Sequence, residues 1–196
     1  MYRSKFLLST LALSFLLAAA SCGGKGEAET AVKAADDAIA AIQPDAEMYA
    51  PAEFTQVTSA ADSARDLFNQ GDYKGARTIA EGVPARADEV KQAAMAAKEA
   101  MIKEWTDLEA QVPGMVEAVT AKVNEMAGGK RPPKGMTPEQ VAESQSNTET
   151  MNQMWSQATT AATAGQIKVA VDGGRQVRAM AEELMVKLGM TTPTGA

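Results

Sequence analysis

Few side chains in this sequence could carry chemistry. Histidine is absent, which removes both the commonest general base and the commonest transition-metal ligand. The single cysteine, Cys22, permits neither a disulfide nor a thiolate zinc cluster within one chain. The acidic residues show no calcium-loop spacing. Asp36-Asp37 and Glu182-Glu183 are adjacent carboxylates, but neighbouring helical residues point about 100° apart, so neither pair converges on one substrate atom. They read as solvated helix faces. Gly128-Gly129-Lys130 and Gly173-Gly174-Arg175 lack the strand-to-helix setting and full glycine spacing of a phosphate loop. Without histidine a nucleophilic serine would need a lysine base, and no such pair is apparent. The expectation is a non-enzyme with no cofactor, no metal and no catalytic residue.

The remaining candidates are apolar. Trp105 and Trp155 are the two tryptophans, and Met101, Met151 and Met154 lie within a helical turn of them. Such residues are most simply core. The alternative is a surface that receives an apolar ligand or a partner helix.

Their positions are set by a long periodic stretch. From Asp72 to Met126 small and apolar residues return every three or four positions, through Ala76, Ala80, Val83, Ala87, Val90 and Ala94 to Trp105, Leu108, Val112, Val116, Val119 and Val123. Charges occupy the positions between. This is the seam of a long helix packed on others; unbroken, it would extend ~80 Å. Pro84 predicts a kink, and Pro113-Gly114 a stronger interruption across which the seam stays in phase. Composition agrees: alanine, methionine and valine dominate and aromatic residues make up 5%, which favours helix over sheet.

The chain around that stretch reads as further helices. One is expected over residues 27–43, closed by Pro44, and a second from Pro51 to about Gln70, with Phe54, Val57, Ala61, Ala64 and Phe68 on one face. Gly71 ends the second helix, and Asp72 caps the long helix that begins at Tyr73. After a loop at 129–137, Thr137-Pro138-Glu139-Gln140 is a strong helix start. That helix should reach Ala164, with a projecting or frayed polar stretch at 143–150. The last covers residues 166–188, where Gly174 on the seam would admit a close helix contact.

The first 22 residues carry an address. Arg3 and Lys5 precede an apolar run at 6–20, and Ala19-Ala20-Ser21 leads into Cys22 and Gly23-Gly24-Lys25-Gly26. This resembles a bacterial lipoprotein signal peptide, departing from the usual pattern in having Ala19 where leucine is preferred. The resemblance implies removal of residues 1–21 and lipid modification of Cys22. Gly23, rather than aspartate, implies transfer to the outer membrane, facing the periplasm, in a Gram-negative cell. Without Arg3 and Lys5 the net charge moves from −6 to about −8. An acidic balance argues against nucleic acid and against electrostatic adhesion to anionic lipid, so the membrane would be held through acyl chains alone.

A second resemblance lies at Ala64-x-x-Leu67-Phe68-x-x-Gly71-Asp72-Tyr73-x-x-Ala76-x-x-x-Ala80. It is similar to the helix-turn-helix core of tetratricopeptide repeats. More broadly, residues 27–100 resemble an alanine-rich helical-hairpin domain of bacterial envelope lipoproteins. No 34-residue period continues beyond it. An internal echo does occur: Gly165-Gln166-Ile167-Lys168-x-Ala170 repeats Gly71-Asp72-Tyr73-Lys74-x-Ala76 at an offset of 94 residues, as duplication of a hairpin would produce.

The expected architecture is all-α, an elongated antiparallel helical bundle built from two long hairpins. Its division is signal peptide 1–21, lipidated cysteine and glycine-rich tether 22–26, first hairpin with the long helix 27–128, loop 129–137, second hairpin 138–189 and tail 190–196. The expected function is an envelope lipoprotein serving as a helical scaffold or adaptor for another envelope protein. The alternative is a periplasmic carrier of an apolar or cell-wall-derived small ligand between helices. The seam also leaves self-association through a second copy open.

Overall fold

The computed structural model describes residues 16–129 and 136–191. Residues 1–15 of the expected signal peptide, most of the loop at 129–137 and the end of the tail lie outside the described residues. Among the described residues six helices run in order: α1 Leu16–Tyr49, α2 Pro51–Asn69, α3 Tyr73–Ala80, α4 Val83–Gly128, α5 Pro138–Thr163 and α6 Ile167–Lys187. No strand occurs among the described residues. The protein is all-α, as its composition requires.

The chain forms two compact units, Met1–Ala97 and Lys98–Ala196. In unit 1, α1, α2 and α3 pack on one another in all three pairings, and the start of α4 belongs with them. In unit 2 the rest of α4 shares one core with α5 and α6. The division therefore falls inside α4, at Ala97–Lys98, whereas the sequence division placed all of that helix in the first hairpin.

Helix ends depart most from expectation, and one physical cause covers the two proline positions where the sequence predicts that a helix stops or breaks. α1 does not stop at Pro44, and the expected connector at 45–50 is mostly helix. Pro44 is exposed, and the buried stripe of Ala35, Ile39, Ile42, Ala46 and Tyr49 passes it in phase. The missing N–H and displaced carbonyl therefore face solvent, where water can satisfy them, while the packed face is unbroken. Pro113 repeats this inside α4: it is exposed, and Leu108, Val112, Val116 and Val119 are buried on either side of it. The helix continues through Pro113-Gly114.

The real interruption is at Glu81-Gly82. Here α3 ends with Glu81 and Gly82 donating back to Arg77 and Ile79 carbonyls, and α4 restarts at Val83. Pro84 therefore occupies the first turn of a new helix, where a proline costs nothing in hydrogen bonds, and does not kink an older one. The buried phase Ala76, Ala80, Val83, Ala87 still crosses the break.

The expected tether at 22–26 is also helical, being part of α1. Thr30 Oγ1 donates to the Gly26 carbonyl at 2.9 Å, and Ala28 is fully buried. Each glycine costs ~1 kcal/mol against alanine in a helix, a cost that packing from Ala28 onward offsets.

The two turns that echo each other in sequence are built alike. Gln70, Gly71 and Asp72 amides donate to Asp66, Phe68 and Leu67 carbonyls; Ala164, Gly165 and Gln166 amides donate to Thr160, Ala162 and Ala161. Every one of these pairs is displaced by the same 94 residues. The central glycines lie at φ 85° and 76°, a conformation that a side chain disfavours. Nothing lies within 4 Å of where either Cβ would sit, so an added methyl meets no clash and only the backbone is strained. Gly71→Ala and Gly165→Ala are each expected to cost about 1 kcal/mol. Equal losses in urea unfolding would confirm the equivalence of the turns; a neutral result at either would contradict it.

Candidate functional site

The five apolar candidates come together. Trp105 is buried and Met151 fully so, while Met101, Met154 and Trp155 are half-buried against the same cluster. The two indole rings stack with centroids 5.4 Å apart and planes 21° from parallel, an offset geometry that aromatic quadrupoles favour. α4 supplies Trp105 from its buried stripe and α5 supplies Trp155 one turn after Met151. The approach of α6 makes this possible. A Cβ on Gly174 would lie 3.0 Å from Leu108 Cδ1 and 3.3 Å from Trp105 Cζ3, so the glycine admits the indole between helices. Gly173 similarly faces Ala158, 3.1 Å from its Cβ.

The polar stretch at 143–150 is neither projecting nor frayed. It is helical, and Ser144 and Thr148 are buried. Their hydroxyls donate to the Gln140 and Ser144 carbonyls, both at 2.8 Å, so two polar side chains enter the core satisfied by their own helix. The helix starts as expected, with Thr137 and Gln140 forming a reciprocal capping box.

Charged residues form pairs that link helices. Arg175 on α6 grips Glu104 on α4 through two bonds of 2.6 Å. Lys187 meets Glu143 at 3.0 Å. In unit 1, Arg65 donates to Asp36 at 2.9 Å, and Arg77 pairs with Glu27. Asp37 turns to Lys33 on its own helix, so Asp36 and Asp37 diverge onto different cations, as adjacent helical carboxylates should. The glycine-basic run at 173–175 is helix interior with its arginine paired. Among the described residues no group of acids and cysteine is arranged to hold a metal ion.

Sequence reasoning missed the Arg175–Glu104 and Arg65–Asp36 pairs. Their members lie far apart in the chain, and no local spacing announces them.

The Arg175 guanidinium, by hydrogen bonding, holds the Glu104 carboxyl below its ordinary value of 4.5. A carboxylate depressed in the folded state stabilises it above the unfolded pKa, and that contribution disappears as pH falls through the folded pKa. Glu104→Gln should therefore weaken unit 2 at neutral pH, and the difference from wild type should close progressively below about 4.5. Urea midpoints across that range test this; a pH-independent difference would rule out the charge as its source.

Among the described residues no helix is long and apolar enough to cross a membrane. No protein-family model matches the chain, and neither a curated protein nor a solved structure matches it significantly. Fold and site together define a class: an all-α bundle in which both tryptophans and several methionines of unit 2 share one core.

Proposed function

We propose that this protein is a non-enzymatic, lipid-anchored helical module that binds another protein of the cell envelope. The observation that carries the reading is the inward placement of the Trp105–Trp155–Met151 group. Trp105 and Met151 are spent on packing, and the exposed face of α5 presents polar and charged residues, while α6 exposes Val169 and Val186 beside its charges. A partner would meet that outer surface. The anchor rests on Cys22 at the junction of an apolar leader and a glycine-rich stretch, which favours the periplasmic face of an outer membrane.

In-cell crosslinking of the tagged, lipidated protein, followed by mass spectrometry, tests the adaptor role. A reproducible stoichiometric partner is expected. Its capture should fall when Gln145, Ser146 and Glu149, exposed on α5, are replaced by alanine. Self-crosslinks alone would replace the adaptor with an oligomer of this chain.

A second reading is favoured by the half-buried Trp155, Met101 and Met154 at the border of the stack. A carrier would admit an apolar or cell-wall-derived ligand there. Binding of an apolar dye that shifts tryptophan emission, lost in Trp155→Ala, would support it.

A further inference from the structure

The glycine-rich segment after Cys22 has the composition of a flexible tether, yet it lies within α1. The buried Ala28 is only about 9 Å along the helix from Cys22, at ~1.5 Å per residue. Glu27 is already paired with Arg77 of α3, and the Gly26 carbonyl accepts from Thr30. Packing of unit 1 therefore begins almost at the acylation position, with no slack between.

The ends of the neighbouring helices are fixed by the same contacts. Arg65, one turn before the end of α2, reaches Asp36, and the Gly71 turn then brings α3 back so that Arg77 meets Glu27. The α2–α3 turn thus lies beside the start of α1. Lys74 is exposed there, and Phe68 and Tyr73 pack edge to face across the turn, both half-buried. Met48, at the other end of α1, is also exposed and is about 30 Å from this end, by the helical rise.

We infer that unit 1 is seated directly on the bilayer by its α2–α3 end and does not swing from it on a linker. The inference rests on acylation of Cys22. The partner is a phospholipid headgroup layer. Lys74 and the edges of Tyr73 and Phe68 lie at its surface, a level at which amphipathic aromatic and lysine side chains are favoured. The α1–α2 connection points away from it.

The test uses the full-length acylated protein in vesicles of phosphatidylethanolamine and phosphatidylglycerol. Acylated Cys22 is not available for labelling, so Lys74→Cys or Met48→Cys provides the one free thiol for a fluorophore. Vesicles carrying a headgroup-linked nitroxide then act as quencher. Strong quenching at position 74, several-fold greater than at 48, is expected. Inserting about twenty Gly/Ser residues after Gly23 should reduce that ratio toward one. Equal quenching at the two positions without the insertion would overturn the seating. Intact-mass measurement of the same samples reads the premise separately. A protein without acyl chains at Cys22 would defeat the anchor itself, whereas an acylated protein with equal quenching would defeat only the seating.

Discussion

Trp105→Ala is expected to destabilise unit 2 by about 3–5 kcal/mol, a large part of the 5–15 kcal/mol that ordinarily holds a domain. Trp105 is 7% exposed and belongs to the core shared by α4, α5 and α6. Its removal opens a cavity that α6, held by Gly174 against Leu108, cannot readily close. Trp155 is only half-buried, so Trp155→Ala should cost less. In the double variant the losses should fall short of additivity by about 0.5–1.5 kcal/mol, the contribution of the stacked pair. Both tryptophans lie in unit 2, so in each single variant the emission of the remaining one reports that unit during urea unfolding. The double variant keeps no tryptophan and is followed by far-UV circular dichroism. Full additivity would mean that the rings share a core without interacting.

Gly174 supplies the other large effect, and there the size of the added group decides the sign. Gly174→Ala gains ~1 kcal/mol of helix propensity while placing a methyl 3.0 Å from Leu108 Cδ1, the free end of a flexible side chain, and 3.3 Å from Trp105 Cζ3. These nearly cancel. Gly174→Val adds two more carbons between Leu108 and Trp105 and should cost about 3 kcal/mol through overpacking. Gly173→Ala is the informative contrast. Its methyl would meet Ala158 Cβ at 3.1 Å, with Ala158 Cα behind it at 3.8 Å. No rotamer relieves that contact, so α5 and α6 must separate, and destabilisation is expected despite the propensity gain. Thermal unfolding of the three variants, read by tryptophan emission, tests the order Val, then the alanine at 173, then the alanine at 174, from most to least damaging. Equal effects at 173 and 174 would show that backbone entropy, and not helix approach, governs these glycines.

The proposed lipid-anchored adaptor has different support from the fold. Its anchor rests on residue types around Cys22, which are local, and its adaptor role on the packing of Trp105, Trp155 and Met151. The proposed seating on the bilayer depends on α1 continuing through glycines that composition alone reads as flexible.

Properties set by neighbours within a few residues were legible in the sequence. The all-α class came from composition, and the buried faces of α2, α4 and α6 came from spacing. The Asp72 cap, the Thr137–Gln140 box and the glycine turns at 71 and 165 were also legible, because each depends on hydrogen bonds within one turn of chain. Gly174 could be marked as a place of close approach because it interrupts a stripe of larger residues. The grouping of Trp105, Met101, Met151, Met154 and Trp155 was visible as a set, though not as a stack.

Tertiary structure decided where helices end and which distant side chains meet. Pro44 and Pro113 carry the same local signal as any helix breaker, and only their exposed position opposite a continuous buried stripe makes them tolerable. Pro84 carries that signal too, but a turn at Glu81-Gly82 puts it at a helix start. Ser144 and Thr148 look solvent-facing by polarity; they are buried because their hydroxyls are satisfied by the helix itself while the helix face packs. Arg175 finds Glu104, and Trp105 finds Trp155, across stretches of chain that no short-range spacing connects. Propensity acts over a few residues, whereas burial is decided by every helix that shares the core.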